Sequence, residues 1–372
     1  MIGLMEVRQA FTLPFKVNSM KSRQKLDEVA PDPGVSAVKT INLALQGGGA
    51  HGAFTWGVLD RLIEEDGIAF EGMSATSAGA MNATVMAYGM AVAGREGARQ
   101  TLRDFWRRVS NAALFSPLQP SFYDRLMRNY GLENSPAHLF ADVLSRMLSP
   151  YQLNPLNYNP LRQVLEAVID FEQLSQSSVI KLFLPATNVR TGKVKIFTGQ
   201  EITADAVLAS ACLPFFSQAV EINGEAYWDG GYMGNPALFP LIYNCAFRDI
   251  LVVHIDPINR DHVPTAAWDI MNRVSEISFN SSLMREMRAI AFVSRLIEDG
   301  KLNDPEVKLV RIHAIEAGDV MQKLSVASKL NADWGFLLHL HAVGRECASA
   351  WLAREFAHVG LKSTVDIHER YI

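Results

Sequence analysis

The sequence predicts an α/β fold, and three observations predict it. Two strand–turn–helix units follow one another directly between about residues 41 and 90, a proline-punctuated helix-rich stretch comes next, and short apolar runs bounded by turn residues return from about residue 179. Tandem units of this kind favour a sheet with helices packed on it, because a strand that feeds a crossover helix returns parallel to itself.

Taken in order, residues 1–39 mix charged and apolar character without a period and pass through "APDPG", which reads as a tail or linker. Ile41 to Gln46 is a short apolar run giving way to Gly47-Gly48-Gly49, after which Phe54, Val58 and Leu62 recur at helical spacing. "GMSATSAGAMNATVMAYG" then passes from a small-residue strand through Ser77 into a second helix. About 95–170 is read as a helical insertion, and its "FWRRV" as a solvated turn with snorkelling arginines. "VIKLFLPATNV" and "KVKIFTG" are strands joined through "RTGK". "QAVEI" and "EAYW" flank Asn223-Gly224, the dipeptide that most readily takes the two positive φ angles of a type I′ turn, and this hairpin brings Asp229 to a strand end. "DILVVHIDP" is a further buried strand. The expected division is a tail (1–39), a catalytic domain (40–260) and a mostly helical region (261–372) packed on it, with "VKLVRIHAI" as a late strand.

Composition narrows the function. Of 372 residues, 49% are hydrophobic and 20% charged, which supplies a core without covalent staples. The formal net charge of -4 sets up no field that would gather nucleic acid, so no nucleic-acid partner is expected and any lipid contact is local. Cys212, Cys245 and Cys347 lie far apart, which implies no disulfide framework and fits a reducing cytoplasm. The first residues lack a signal-peptide pattern, and no segment reaches the roughly twenty apolar residues that span a bilayer. The expectation is a cytoplasmic protein, peripheral on a membrane or lipid-granule surface.

The glycines admit two chemistries. Gly47, Gly49 and Gly52 satisfy G-x-G-x-x-G, with Glu71 about where a ribose-binding acid belongs, which is the dinucleotide reading. Against it, "IAFE" is too short for the second strand and runs directly into a second sharp turn with a serine at its apex. Acyl transfer uses such a turn. Ala75 and Gly79 place small residues two positions either side of Ser77, as a strained strand-to-helix elbow requires, and the helix after it points its positive end at a developing alkoxide. Gly47, Gly48 and Gly49, lacking Cβ atoms, let consecutive N–H groups converge on an oxyanion.

"GGGAHG", "SATSAGA" and "LASACLPFFSQAVEINGEAYWDGGYMGNP", in that order over roughly Thr40 to Pro257, resemble the patatin-like phospholipase family and its blocks G-G-G-x-R/K-G, G-x-S-x-G and D-G-G/A. The resemblance implies a three-layer α/β/α sandwich with a mainly parallel sheet. It also implies a dyad of Ser77 as nucleophile and Asp229 as base, Gly47, Gly48 and Gly49 as oxyanion loop, Gly230 and Gly231 after the base, and neither metal nor organic cofactor. Ala75 stands for the first glycine of the elbow block, and His51 stands where the family has Arg or Lys, removing a permanent cation. A dyad suffices for esters when burial raises the basicity of the aspartate and the oxyanion loop lowers the cost of proton transfer.

The implied substrate is a phospholipid or lysophospholipid, with a neutral ester or intracellular storage polyester as the alternative that His51 keeps open. Three readings of other classes stand beside it: a Ser77–Asp229–His254 triad, a dinucleotide-dependent oxidoreductase, and a non-enzymatic lipid-binding scaffold. His339 and His341, two apart on a helix, do not share a metal ion. Cys212 reads as a small buried thiol and Asp256 as a strand-end cap. The segment from about Leu114 to Leu161 is either a lid or acyl channel or a helical subdomain packed for stability. The amphipathic stretch that follows Asp333 covers the sheet, mediates self-association or meets a partner.

Overall fold

Two tandem crossovers build the centre of the sheet. The computed structural model describes residues 38–113, 148–177, 179–265, 267–325 and 327–372. The expected tail therefore lies outside the described residues up to position 37, as does 114–147 of the segment read as a lid or acyl channel. Strand β1 (Lys39–Leu45) is buried from Ile41 onward and lies between β2 (Ile68–Ala75) and β7 (Asp249–Val253), parallel to both. Burial on both faces explains its nearly continuous apolar character. The remaining strands are β3 (Lys181–Asn188), β4 (Val194–Thr198), β5 (Val220–Ile222), β6 (Glu225–Asp229) and β8 (Arg311–Ile315). The order is β5-β6-β3-β2-β1-β7-β8, with β4 paired to β3. From β3 across to β8 all pairings are parallel; β4, β6 and β5 add an antiparallel flank. Asn223 and Gly224 join β5 to β6 with φ of 53° and 79°.

Helices α1 (Gly52–Ile63), α2 (Ala78–Ala113), α3 (Ala204–Ser210), α4 (Phe239–Asn244), α5 (Ala267–Glu298) and α6 (Trp334–Arg354) cover the sheet. Alternation along β1 divides the core: Ile41, Leu43 and Leu45 join Phe54, Leu59, Met81 and Phe336 on one face, while Ala44 joins Leu241, Leu283 and Met287 on the other. A sheet with apolar side chains packed on both faces and helices beyond them is a three-layer α/β/α sandwich. Among the described residues no helix is long and apolar enough to cross a membrane.

The structure adds detail to the sequence reading at three places. "IAFE" and "GMSA" are one strand, not two: the Glu71 side chain accepts the N–H groups of Ala246 and Phe247 at 2.7 and 2.9 Å and pairs with Lys181 at 2.9 Å, so its carboxylate is satisfied mid-strand, at the place where the pairing with β1 shifts register. Near residue 95, where the helical insertion is expected to begin, α2 breaks: Ala93 and Gly94 have non-helical φ/ψ, a second helical segment runs on to Ala113, and the rest of the insertion that is described includes short helices such as Pro160–Val168. "FWRRV" is only half solvated, because Phe105 and Trp106 are buried and the Trp106 indole N–H donates to Asn82 Oδ1 at 2.9 Å.

Helix α6 is seated on α1. A Cβ built on Gly57 would lie 2.0 Å from the His341 carbonyl oxygen, and one on Gly344 would lie 2.1 Å from that of Phe54. The crossing is also clamped by charge, since Asp60 meets Arg99, Arg345 and His341. Although burial opposes it, hydrogen bonds from His341 and Arg99 hold the Asp60 carboxyl well below the usual carboxylate range. Covering the sheet is thus the role of this C-terminal helix that the contacts support. Helix propensity favours Ala over Gly by about 1 kcal/mol, whereas overpacking costs about 1–3 kcal/mol and more against backbone. Gly57→Ala and Gly344→Ala are therefore expected to destabilise by about 2 kcal/mol, read as a lower urea midpoint; a raised midpoint would mean that the helices do not touch here.

Candidate active site

The strand order reverses about β1, so loops leaving the carboxyl ends of β1, β2 and β7 converge, the usual place for a site in a parallel sheet. The loop after β1 carries Gly47, Gly48 and Gly49; the loop after β2 carries Ser77. Ser77 adopts φ 56°, a left-handed conformation rare outside glycine. It is held there by its N–H, which donates to the Ser210 carbonyl at 3.2 Å, and by the Met81 N–H, which donates to its carbonyl at 3.1 Å as α2 begins. The small neighbours read from sequence have contacts that require them. A Cβ on Gly47 would stand 2.6 Å from Ser77 Cβ, and one on Gly79 would stand 2.5 Å from the Leu45 carbonyl oxygen. Ala75 is fully buried at the end of β2, opposite Leu45.

The three glycines are not equivalent. Gly47 is buried and its N–H donates to Asn235 Oδ1 at 2.7 Å. Gly48 is half-buried and Gly49 exposed, and neither N–H is used in a hydrogen bond among the described residues. Gly49 has φ 57°, and a Cβ there would meet the Lys329 carbonyl oxygen at 2.5 Å.

Asp229 is fully buried at the end of β6. Its N–H donates to the Cys212 carbonyl at 2.8 Å, and its carbonyl accepts Thr187 Oγ1 at 2.8 Å, which fixes the backbone between β3 and α3. Oδ1 accepts the Gly231 N–H at 2.7 Å, while Oδ2 has no hydrogen-bond partner among the described residues. Burial pushes the carboxyl up to about 7, against the opposing influence of the Gly231 N–H, the Ser77 hydroxyl and, at longer range, Lys329. Ser77 and Asp229 are therefore brought together. Gly230 and Gly231 permit the turn behind the carboxylate: Cβ atoms there would lie 2.0 Å from the Pro185 carbonyl oxygen and 2.2 Å from Phe279 Cε1.

The side chains that brace the loop were not singled out from sequence. Gln46, fully buried, donates from Nε2 to Asn280 Oδ1 at 3.0 Å and to the Asn235 carbonyl at 3.2 Å, and accepts the N–H groups of Ile255 and Asp256 at 2.8 and 3.0 Å. One amide thereby ties the ends of β1 and β7 to α5. Thr76 Oγ1 donates to the Gly234 carbonyl at 2.7 Å and Ser282 Oγ accepts the Asn235 N–H at 3.2 Å, completing the bracket. A polar residue closing an apolar strand, as Gln46 does, is the one sequence signal that pointed here.

The other candidates have surroundings of their own. His254 stands just beyond β7, buried, with Nε2 2.7 Å from the Tyr371 hydroxyl. Burial, with Arg370 nearby, pushes it down to about 3. His51 is buried with Nε2 2.7 Å from Ser328 Oγ, and burial together with Lys329 and Arg260 holds it neutral. Asp256 pairs with Lys329 at 2.5 Å. Burial, then the field of Asp229, pushes the Cys212 thiol up to about 12, so it stays protonated. His341 is committed to Asp60 and to the Trp56 ring, 4.0 Å between centroids. Among the described residues no group of three or more His, Cys, Asp or Glu is arranged to hold a metal.

The model of the patatin-like phospholipase family matches residues 43–242, more than half of the chain and both elements of the pair. The chain belongs to the patatin-like phospholipase family. No match was found among curated proteins. Among solved structures the chain is similar to VipD from Legionella pneumophila, at 16% identity over 81% of this chain and 66% of that one, with a TM-score of 0.36. It is also similar, at 18% identity, to a chain of the complex of full-length SpcU with full-length ExoU from the type III secretion system of Pseudomonas aeruginosa. That likeness covers 67% of this chain and 51% of the other, with a TM-score of 0.28. The chain thus spans just under two thirds and about half of these relatives' lengths.

In this patatin-like site Asn235→Ala is expected to leave the Gly47 N–H buried and unpaired, at about 1–3 kcal/mol. It should lower the urea midpoint and loosen the loop, whereas Asn235→Asp, which keeps an acceptor, should retain most of the stability. Equal loss in both variants would show that the acceptor is not what matters.

Proposed function

We propose that the protein is a serine acyl hydrolase that cleaves carboxylic esters of lipids through an acyl-Ser77 intermediate, with Asp229 as base. One observation carries the reading: a serine held at φ 56° beside a fully buried carboxylate that has one oxygen pinned and the other unpartnered. Ser77 Oγ attacks the ester carbonyl carbon while its proton passes to Asp229 Oδ2. The oxyanion is met by the N–H groups of Gly48 and Gly49, whose donors are uncommitted, and Gly47 serves the close approach of loop and elbow. Asp229 returns the proton to the leaving alkoxide. Water then gives a proton to Asp229 and adds to the acyl carbon, and collapse of that adduct releases the acid and restores Ser77. A carboxyl near pH 7 is matched to both halves of this cycle.

The partner of His254 is Tyr371, which favours the dyad over a triad. Glu71, engaged with two backbone N–H groups and Lys181, is unavailable to a ribose, which weighs against the dinucleotide reading. Phospholipid or lysophospholipid is the leading substrate class by family. A neutral ester or storage polyester is the second reading, favoured by the neutral, buried His51. Phe215 and Phe216, 67% and 57% exposed, follow closely on Cys212, whose carbonyl holds Asp229; exposed aromatic rings this near the pair suit docking on a lipid surface. No metal or organic cofactor enters the scheme. The reading is of a peripheral protein working from the cytoplasm, with residues 40–260 carrying the dyad and the later residues packed on them.

Ser77→Ala and Asp229→Asn are each expected to lower turnover of phospholipid and neutral esters by roughly a thousandfold or more, with His254→Ala remaining active. Undiminished turnover in either dyad variant would end the proposal. The rate should rise with pH through about 7, as Asp229 ionises, and level off above it. The same titration affects stability. The folded value lies above the unfolded one, so the favourable contribution present below about pH 4 is lost as pH rises through about 7. Asp229→Asn should therefore raise Tm at pH 8 by several degrees and change it little at pH 4, as followed by circular dichroism. Phe215→Asp and Phe216→Asp should reduce hydrolysis of vesicle-borne lipid several-fold while sparing a soluble ester; equal losses would remove the docking role.

A further inference from the structure

His51 leaves the glycine loop without the cation that the family motif places there, yet a lysine reaches the loop from the far end of the chain. Lys329 lies in the turn Ala327–Leu330, and this turn is packed against the loop so closely that a Cβ on Gly49 would lie 2.5 Å from the Lys329 carbonyl oxygen and 3.3 Å from its Cβ. The neighbouring Ser328 hydroxyl is the partner of His51. The Lys329 ammonium is held 2.5 Å from Asp256 Oδ1, and Asp256 is itself fixed by Gln46, the residue from which the glycine loop departs. Ile255, next to Asp256, packs where a Cβ on Gly48 would fall, at 2.5 Å. The ammonium and its carboxylate therefore stand on the same brace as the oxyanion donors.

We propose that Lys329 is a positioning residue that takes the place of the missing motif cation, its charge favouring an ionised Asp229 and a developing oxyanion on the glycine loop. The inference rests on the reading of Ser77 as nucleophile and Asp229 as base. The groups that face Asp229 are Ser77 of the elbow, Gly231 and Tyr232 of the turn behind it, and Cys212 at the end of α3. Burial, then the field of Asp229, pushes both Tyr232 and Cys212 up to about 12, so both are neutral at pH 7 and Lys329 is the charged group that acts on the carboxylate among the described residues. Around Lys329 itself stand Asp256 and the neutral His51; Arg260, whose charge also reaches His51, is paired with Glu276, which also meets Arg273 at 3.1 Å. Asp256 moderates the lysine's field without cancelling it, because the two charges act on the site from different positions.

The charges make opposite predictions, which a purely structural ion pair would not. The measurement is the rate at which a fluorophosphonate labels Ser77 in the full chain as a function of pH. Lys329→Met should move the midpoint of the rising limb up by about half to one pH unit, Lys329→Arg should leave it near that of the wild type, and Asp256→Asn should move it down. A common direction for Lys329→Met and Asp256→Asn, or no movement in either, overturns the proposal. If Lys329→Met does not fold, Asp256→Asn decides alone, since loss of the brace would not move the limb downward. A wild type that takes no label at Ser77 overturns the nucleophile assignment and this inference with it, a failure seen before any variant is made.

Discussion

The backbone of Gly47 and the side chain of Ser77 occupy neighbouring volumes that leave no room for a methyl group between them, and the rest of the site is arranged around that contact. It exists because β1 and β2 are adjacent parallel strands whose carboxyl ends turn in the same direction, so both exit loops must pass through one space. Smallness is then demanded on every side. Gly79 lets α2 start against the carbonyls of Leu45 and Gln46, and Gly52 faces Ala78 where the first turns of α1 and α2 meet. A serine can be driven into the left-handed region here because the surrounding backbone leaves it no alternative; hydrogen bonds to its N–H and carbonyl hold both flanking peptides.

The electrostatics follow from the same crowding. Asp229 is sealed from water, and a carboxylate so placed is penalised by burial unless donors surround it. It receives one backbone donor, from Gly231, and leaves its second oxygen unpartnered, so the balance falls between a carboxylate fully solvated by N–H groups and one held neutral. In the proposed mechanism, that intermediate balance would make a poor base in water a usable one. Surplus donors would lower the carboxyl and cost it basicity. An arginine in contact would do so more strongly, which is a physical reason for keeping cationic charge here at a distance.

Much of this was legible in sequence because it is local. Glycine runs, small residues two positions either side of a serine, and Asn-Gly between alternating strands constrain backbone angles at the positions where they occur, and the sharp turn at Ser77 and the hairpin that ends at Asp229 are both found where they were read. What was not legible depends on contacts between distant parts of the chain. Gln46 reaches Asn280 and Asn235, and Lys329 reaches Asp256; no periodicity relates such positions, and each of these residues taken alone reads as an ordinary polar side chain. Glu71 misled for a related reason. A charged residue inside a strand looks like a strand end until its partners, here the N–H groups of Ala246 and Phe247, are seen.

The family match ends at residue 242, but the physical site does not. Phe279 closes over Gly231, Asn280 and Ser282 hold Gln46 and the Asn235 backbone, and Ser328 and Lys329 press on His51 and Gly49. All five residues lie in the region from 261 onward, which also supplies β8 to the sheet and the helix α6 seated on α1. The bracing that Gln46, Thr76 and Asn235 give the glycine loop is therefore completed by residues from the later part of the chain. A loop of three glycines has little conformational preference of its own, so its rigidity has to be imposed from outside. Here the imposition comes from the C-terminal region through buried amides and a lysine. The C-terminal region thus supports the proposed acyl-transfer site, and a fragment ending at the family boundary would retain Ser77 and Asp229 without the Asn280, Ser282, Ser328 and Lys329 contacts that brace the glycine loop.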